Sequence, residues 1–235
     1  MAPASSVVVI RHRFDRPGAA SERFSRQRVR LRDLARRGDL GWAVLLAFSY
    51  KSADTAMWML VQPWLVDRGF GIDQIGRLQM LNLCCTAVGG IVVGIPLVRW
   101  FGNRGAVRVS LALASALVGT AWWLQGLTHL PAALVFRAFA LKSLFDGGMY
   151  VTIWALFMNW ASPERPAAEY TSMQCCESMN AALATGVIGA IGQRFGYAAT
   201  FMGLWIAAAA GWFIVAGCLP RLHLPGRQEA DGQSR

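Results

Sequence analysis

Tyr50-Lys51-Ser52-Ala53-Asp54 sets two opposite charges inside an apolar run that extends over residues 40–66. A run of that length crosses the hydrocarbon core of a bilayer as a helix, which takes ~20 mostly apolar residues. Charge is expensive there. An ionised group at the centre of a lone helix costs ~2.5–3.5 kcal/mol even on the mild insertion scale, so both groups must face protein, water or each other. Lys51 and Asp54 stand three residues apart, which puts them on one helical face and predicts that they pair. An intramembrane ionisable residue is by default a candidate for a solute or proton path.

Five further apolar runs follow. Residues 75–98 carry Gly89, Gly90 and Gly94, small enough to let a neighbouring backbone approach. Residues 106–127 include Trp122-Trp123 near their end, which suits an interfacial aromatic belt. Residues 131–160 contain Arg137, Lys142 and Asp146, then Gly147-Gly148. Lys142 and Asp146 stand four apart and are expected to pair along the helix, while Arg137, near one end, snorkels to the headgroups. Residues 169–192 carry Gln174, Glu177 and Asn180 in their first turns and a small-residue ladder at Ala182, Gly186 and Ala190. Residues 198–219 are almost wholly apolar and stop at Pro220. Polar links rich in glycine or proline separate the runs, and no alternation of period two appears, which excludes a barrel. The expectation is an all-α, integral membrane six-helix bundle over residues 40–219, with a basic arm at 1–39 and a polar tail at 220–235.

Composition agrees, since 55% of the 235 residues are apolar and 15% charged, against about 25% charged in a soluble domain. The net charge of +10 is no nucleic-acid signature, because ten of the 23 Lys+Arg precede Leu40 and most others lie in short links. The arm, the tail, Arg99, Arg104, Arg108 and Arg165 together account for 17 of the 23, whereas the alternate links hold Arg68, Arg77 and Arg194. Under the positive-inside rule both termini are therefore cytoplasmic, in a multi-pass chain of a bacterial-type inner (plasma) membrane. Residues 7–10 are too short for the core of a signal peptide, and the basic residues follow them. Residues 25–37 suit either a basic helix on anionic headgroups or a solvated tail. The five cysteines lie inside apolar runs without CxxC or zinc spacing, so they read as small buried apolar residues, and neither metal nor cofactor is expected. His12, His129 and His223 all fall in links or tails, which leaves no intramembrane Ser–His pair or HExxH motif and argues against an enzyme.

A single Lys–Asp pair can be a staple between helices, and a non-transporting scaffold would need no more. Two such pairs, with Glu177 on a third helix, point instead to a shared polar cavity. In such a cavity burial raises a carboxylate's pKa and a neighbouring Lys lowers it, the competition a proton-coupled carrier uses. Asp54 is the first candidate for the proton site, with Lys51, Lys142, Asp146 and Glu177 in the same network. Tyr50, Tyr150, Gln174 and Asn180 are candidate hydrogen-bonders to a solute.

Several stretches resemble one family. Tyr50-Lys51-xx-Asp54, Gln62 through Phe70 and Ile75-Gly76 look like the seventh helix and following loop of major facilitator superfamily permeases, in the branch of muropeptide and siderophore-uptake permeases. Leu97 through Arg104 resembles the basic loop after the eighth helix, though it lacks the usual acidic residue and has Asn103 where a basic residue is common. Asp146-Gly147-Gly148-Met149, Ala168 through Gln174 and Gly196 through Phe201 are similar to parts of the tenth, eleventh and twelfth helices. The resemblance implies half of a twelve-helix fold, the C-terminal half, with the arm as central loop. It implies uptake of a siderophore or muropeptide-like solute with protons, the path lying between this half and a second six-helix half or a second copy. An inactive permease fragment is the alternative.

Overall fold

The computed structural model describes residues 38–161 and 166–222, and among these every element is helical. They are α1 (Leu40–Ser49), α2 (Ser52–Asp67), α3 (Ile72–Gly89), a π-helical segment Gly90–Gly94, α4 (Ile95–Gln125), α5 (Ala132–Trp160), α6 (Pro166–Cys218) and a 3-10 turn Leu219–Arg221. The basic arm, most of the expected link around Pro163 and the tail beyond Leu222 lie outside the described residues.

Two stretches, Ile72–Gln125 and Pro166–Arg221, are long and apolar enough to cross a membrane. Only 22% and 28% of their most apolar windows are buried inside the protein, so large apolar side chains such as Met80, Leu83, Ile91, Leu183 and Ile206 face outward. Contiguous apolar surface on this scale calls for lipid or protein to cover it.

The expected helix boundaries are revised in three places. The run over residues 40–66 is broken, because α1 closes at Tyr50 and Lys51 stands outside both helices as the N-cap of α2. The expected link at residues 99–105 is helical except at Gly102, and the link at 193–196 is helical except at Gly196. These two glycines have φ of 64° and 75°, left-handed values at which a Cβ would crowd the backbone.

Contacts on either side of each glycine run in opposite directions. Before Gly102, Asn82 meets Ser143, Gly89 meets Leu144 and Gly94 meets Val151, so the chain ascends α5. After it, Ser110 meets Thr152, and Val118 and Leu124 share a core with Phe139 and Val135, so the chain descends α5. Likewise Glu177 meets Lys51 and Gly192 meets Leu60, whereas beyond Gly196 Tyr197 meets Asp67, Phe201 meets Trp64 and Gly211 meets Ser49. Each glycine is thus the turn of a helical hairpin.

Two apolar clusters fill the interior. One joins Ala43, Leu46, Val107, Leu111, Met149, Ile153, Met173 and Val215; the other joins Met57, Leu60, Trp64, Val118, Phe139, Ile188 and Phe201. The charged residues sit between them. Along α5, Lys142 and Asp146 lie between Phe139 and Met149, and along α6, Glu177 lies between Met173 and Ile188. The fold therefore holds a polar layer midway along its helices, sealed at both ends by hydrocarbon.

The close contact of α3 with α5 depends on absent side chains. A Cβ on Gly89 would come within 1.9 Å of the Leu144 carbonyl oxygen, and one on Gly147 within 1.9 Å of the Thr86 oxygen. Gly90 and Gly94 also face Val151, as their spacing foretold, but the closest approach belongs to Gly89 and Gly147. The ladder at Ala182, Gly186 and Ala190 faces outward, and nothing lies within 4 Å of a Cβ built on Gly186.

Candidate functional site

Lys142 is wholly enclosed, with 0% of its surface exposed. Its ammonium donates to Asp146 Oδ2 at 2.6 Å, one turn along α5, and to Asp54 Oδ1 on α2. Both carboxylates are buried as well. Asp54 lies in the first turn of α2, where the positive end of the helix dipole also favours a carboxylate. Its other oxygen faces Tyr150, whose hydroxyl donates to Oδ2 at 3.4 Å. Trp58, one turn beyond Asp54, presents its ring 5.6 Å from the Lys142 ammonium, within cation–π range.

Lys51 belongs to a second group. Its ammonium donates to Glu177 Oε1 at 2.8 Å and stands 4.7 Å from the centroid of the Tyr150 ring. Tyr150 therefore touches both groups, the ring beneath Lys51 and the hydroxyl on Asp54. Two ammonium groups and three carboxylates give the layer one formal negative charge in excess when all are ionised. Among the described residues, Asp146 Oδ1, Glu177 Oε2, Gln174 Nε2 and the Tyr50 hydroxyl make no hydrogen bond of good geometry. The Tyr50 hydroxyl lies within reach of Glu177 and Trp154, and the Asp146 carboxylate within reach of Trp58. A small cavity opens beside Tyr50 and Asp54, walled by Leu111, Met149 and Ala208.

The expected Lys142–Asp146 pair forms. The expected Lys51–Asp54 pair does not, and the cause is the break after α1. With Lys51 outside regular helix, the three-residue spacing no longer puts the two side chains on one face, and each reaches a different helix. Glu177 thus joins the network as the partner of Lys51. Gln174 and Asn180 lie one turn before and after Glu177 on the same face of α6. Among the described residues no hydrogen bond links Asn180, which is buried, to the charged groups.

Trp58 and Trp154 were not singled out from the sequence. Trp58 follows Asp54 by four residues and Trp154 follows Tyr150 by four, a spacing that shares a face and could have revealed them. Trp154 stacks on Tyr150 with centroids 6.0 Å apart. The cysteines correct another expectation: Cys218 is buried, but Cys84 and Cys175 lie exposed on outward faces. Arg137 is exposed near the start of α5.

Comparison with protein-family models and with curated proteins returned no match.

Proposed function

We propose that the chain is one half of a proton-coupled solute carrier of the inner membrane, built as six crossings and similar to the C-terminal half of a major facilitator permease. The observation that carries the reading is a layer of four buried charges, Asp54, Lys142, Asp146 and Glu177, with the partly exposed Lys51 beside them, midway along helices whose outer faces are apolar. A layer that only stapled helices together would be stablest fully paired. This one keeps a negative charge in excess, which a single proton neutralises.

The excess lies at Lys142, whose one ammonium serves two carboxylates. A proton on Asp54 leaves Lys142 held by Asp146, and a proton on Asp146 leaves it held by Asp54, so the site loads and unloads without stranding a buried cation. Tyr150 carries the change in Asp54 to the neighbourhood of Lys51 and Glu177. The reversals at Gly102 and Gly196 support the count of crossings. A carrier of this kind alternates access by rocking two bundles about a midplane site, so the second wall comes from another six-helix half or a second copy. A siderophore or a muropeptide-like molecule is the solute the resemblance favours.

The test is uptake into vesicles driven by an imposed pH gradient, with a ferric hydroxamate siderophore and a muropeptide as probes. The reading expects uptake of one of them when the chain is joined to a second half or dimerised, and none by the isolated monomer. A monomer that accumulates solute contradicts the two-bundle mechanism, and paired bundles that move neither probe nor protons favour a non-transporting scaffold.

A further inference from the structure

Beyond their glycine turns, α4 and α6 run antiparallel, with Arg108 against Trp212 and Gly119 against Trp205. A groove of about 270 Å³ opens outward between them, lined by the small residues Ala112, Ser115, Ala116 and Ala209 and by the indoles of Trp205 and Trp212. One end is closed by rings. Trp205 packs over Gly119, where a Cβ would come within 2.9 Å of the indole, and stacks on Trp122 with centroids 5.7 Å apart. At the other end Trp212 donates its indole N–H to the Arg108 carbonyl oxygen at 3.0 Å. Arg108 is exposed, stands one turn before Ala112 on the same face of α4, and pairs with no carboxylate among the described residues.

Both walls of the groove belong to the two stretches long and apolar enough to cross a membrane. From Arg108 to Gly119 the helix rises ~16 Å at ~1.5 Å per residue, about half of a hydrocarbon core ~30 Å thick. The groove therefore has a cation at one end, indoles at the other and one leaflet's depth of small residues between them. Side chains on a helix lean towards its N-terminus, which carries the Arg108 guanidinium away from the groove and towards the Gly102 turn, the level of the headgroups. An acyl chain fits the recess and an anionic phosphate fits the arginine. We propose that the groove binds one anionic phospholipid, its phosphodiester on Arg108 and an acyl chain beside Trp205 and Trp212. This rests on the chain lying in a bilayer and is independent of solute transport. A zwitterionic lipid is disfavoured, because its own cation offsets the attraction to Arg108. Ser115 lines both the groove and the small cavity beside Asp54, so the lipid site backs directly onto the polar layer.

The test uses the full chain in nanodiscs of equal phosphatidylglycerol and phosphatidylcholine with matched acyl chains, released for native mass spectrometry. One phosphatidylglycerol should be retained per chain in preference to phosphatidylcholine. Arg108→Gln should cut that preference about fivefold, the worth of one cation near an anionic headgroup, whereas Arg99→Gln, an exposed cation outside the groove, should leave it unchanged. Ala116→Trp fills the recess from an exposed position and should remove the retained lipid whatever its headgroup. Ala209→Leu gives the same readout should that variant lose its helical circular dichroism. Inorganic phosphate should not displace the lipid, because it has no chain to seat in the groove. Equal retention of the two lipids overturns the proposal, as does an unchanged preference in Arg108→Gln, an equal loss in Arg99→Gln or undiminished lipid in both groove-filling variants. Displacement by phosphate, or a dimer that Ala116→Trp dissolves, overturns it in favour of a free anion or a second copy of the chain. Lipid retention without any uptake defeats the carrier reading and leaves this site standing.

Discussion

Lys142 is the residue on which the interior turns. Replacing it with Met leaves Asp54 and Asp146 facing each other in an enclosed space, and breaking a buried pair by removing one partner costs ~3–5 kcal/mol. Lys142→Met should therefore lower the abundance of folded protein in the membrane, and adding Asp54→Asn and Asp146→Asn should restore it. Quantitative blotting of membrane fractions checks both. If Lys142→Met accumulates normally, the two carboxylates are not ionised around it. Lys51 gives a second prediction at this scale. A double-mutant cycle on unfolding should find coupling between Lys51 and Glu177 and almost none between Lys51 and Asp54, because Lys51 bonds only the former. The reverse pattern would restore the pairing read from spacing. That spacing succeeded at Lys142–Asp146, where the helix is continuous, and failed at Lys51–Asp54, where it breaks. The charges themselves were legible because an apolar run makes any ion conspicuous. Their partners were not, since partners across helices depend on a backbone break that no single residue announces.

At the scale of elements, α3 and α5 meet through bare backbone. Gly147→Ala places a methyl group 1.9 Å from the Thr86 oxygen, so the helices must separate, at a cost on the order of the ~1–3 kcal/mol typical of overpacking. Gly186→Ala meets nothing within 4 Å and should instead stabilise α6 by ~0.5–1 kcal/mol through helix propensity. Thermal unfolding in detergent should show the first variant melting below the parent and the second at or above it. Equal midpoints would mean that the close contact is not made. The all-helical character was legible in the apolar runs, two of which fall in stretches long and apolar enough to cross a membrane, and Gly90 and Gly94 were correctly read as a packing face. The hairpins at Gly102 and Gly196 were read as polar links, because composition marks where a chain turns but not that helix continues up to a single residue on either side. The ladder at Ala182, Gly186 and Ala190 shows the limit of the same rule. Small residues permit close packing, and here no helix among the described residues takes up the offer.

For the molecule as a whole, the proposed reading, following the arginine bias, has the turn at Gly102 in the cytoplasm and the link after α2 on the opposite side. Alkaline phosphatase fused after Gly102 should be inactive and after Phe70 active, and the opposite result would invert the topology. On the same proposal, the two apolar clusters with charge between them correspond to the two leaflets around a midplane site. The central claim is that one proton is shared between Asp54 and Asp146 and coupled to solute. Asp54→Asn tests it most directly, because Lys142 keeps Asp146 as its partner and the fold survives the loss of the titrating group. In vesicles carrying the paired carrier, the measurement is solute accumulation against its gradient under a pH difference, beside solute exchange at equilibrium. The account predicts that Asp54→Asn abolishes accumulation and leaves exchange intact. Accumulation at the parental level in that variant would contradict it.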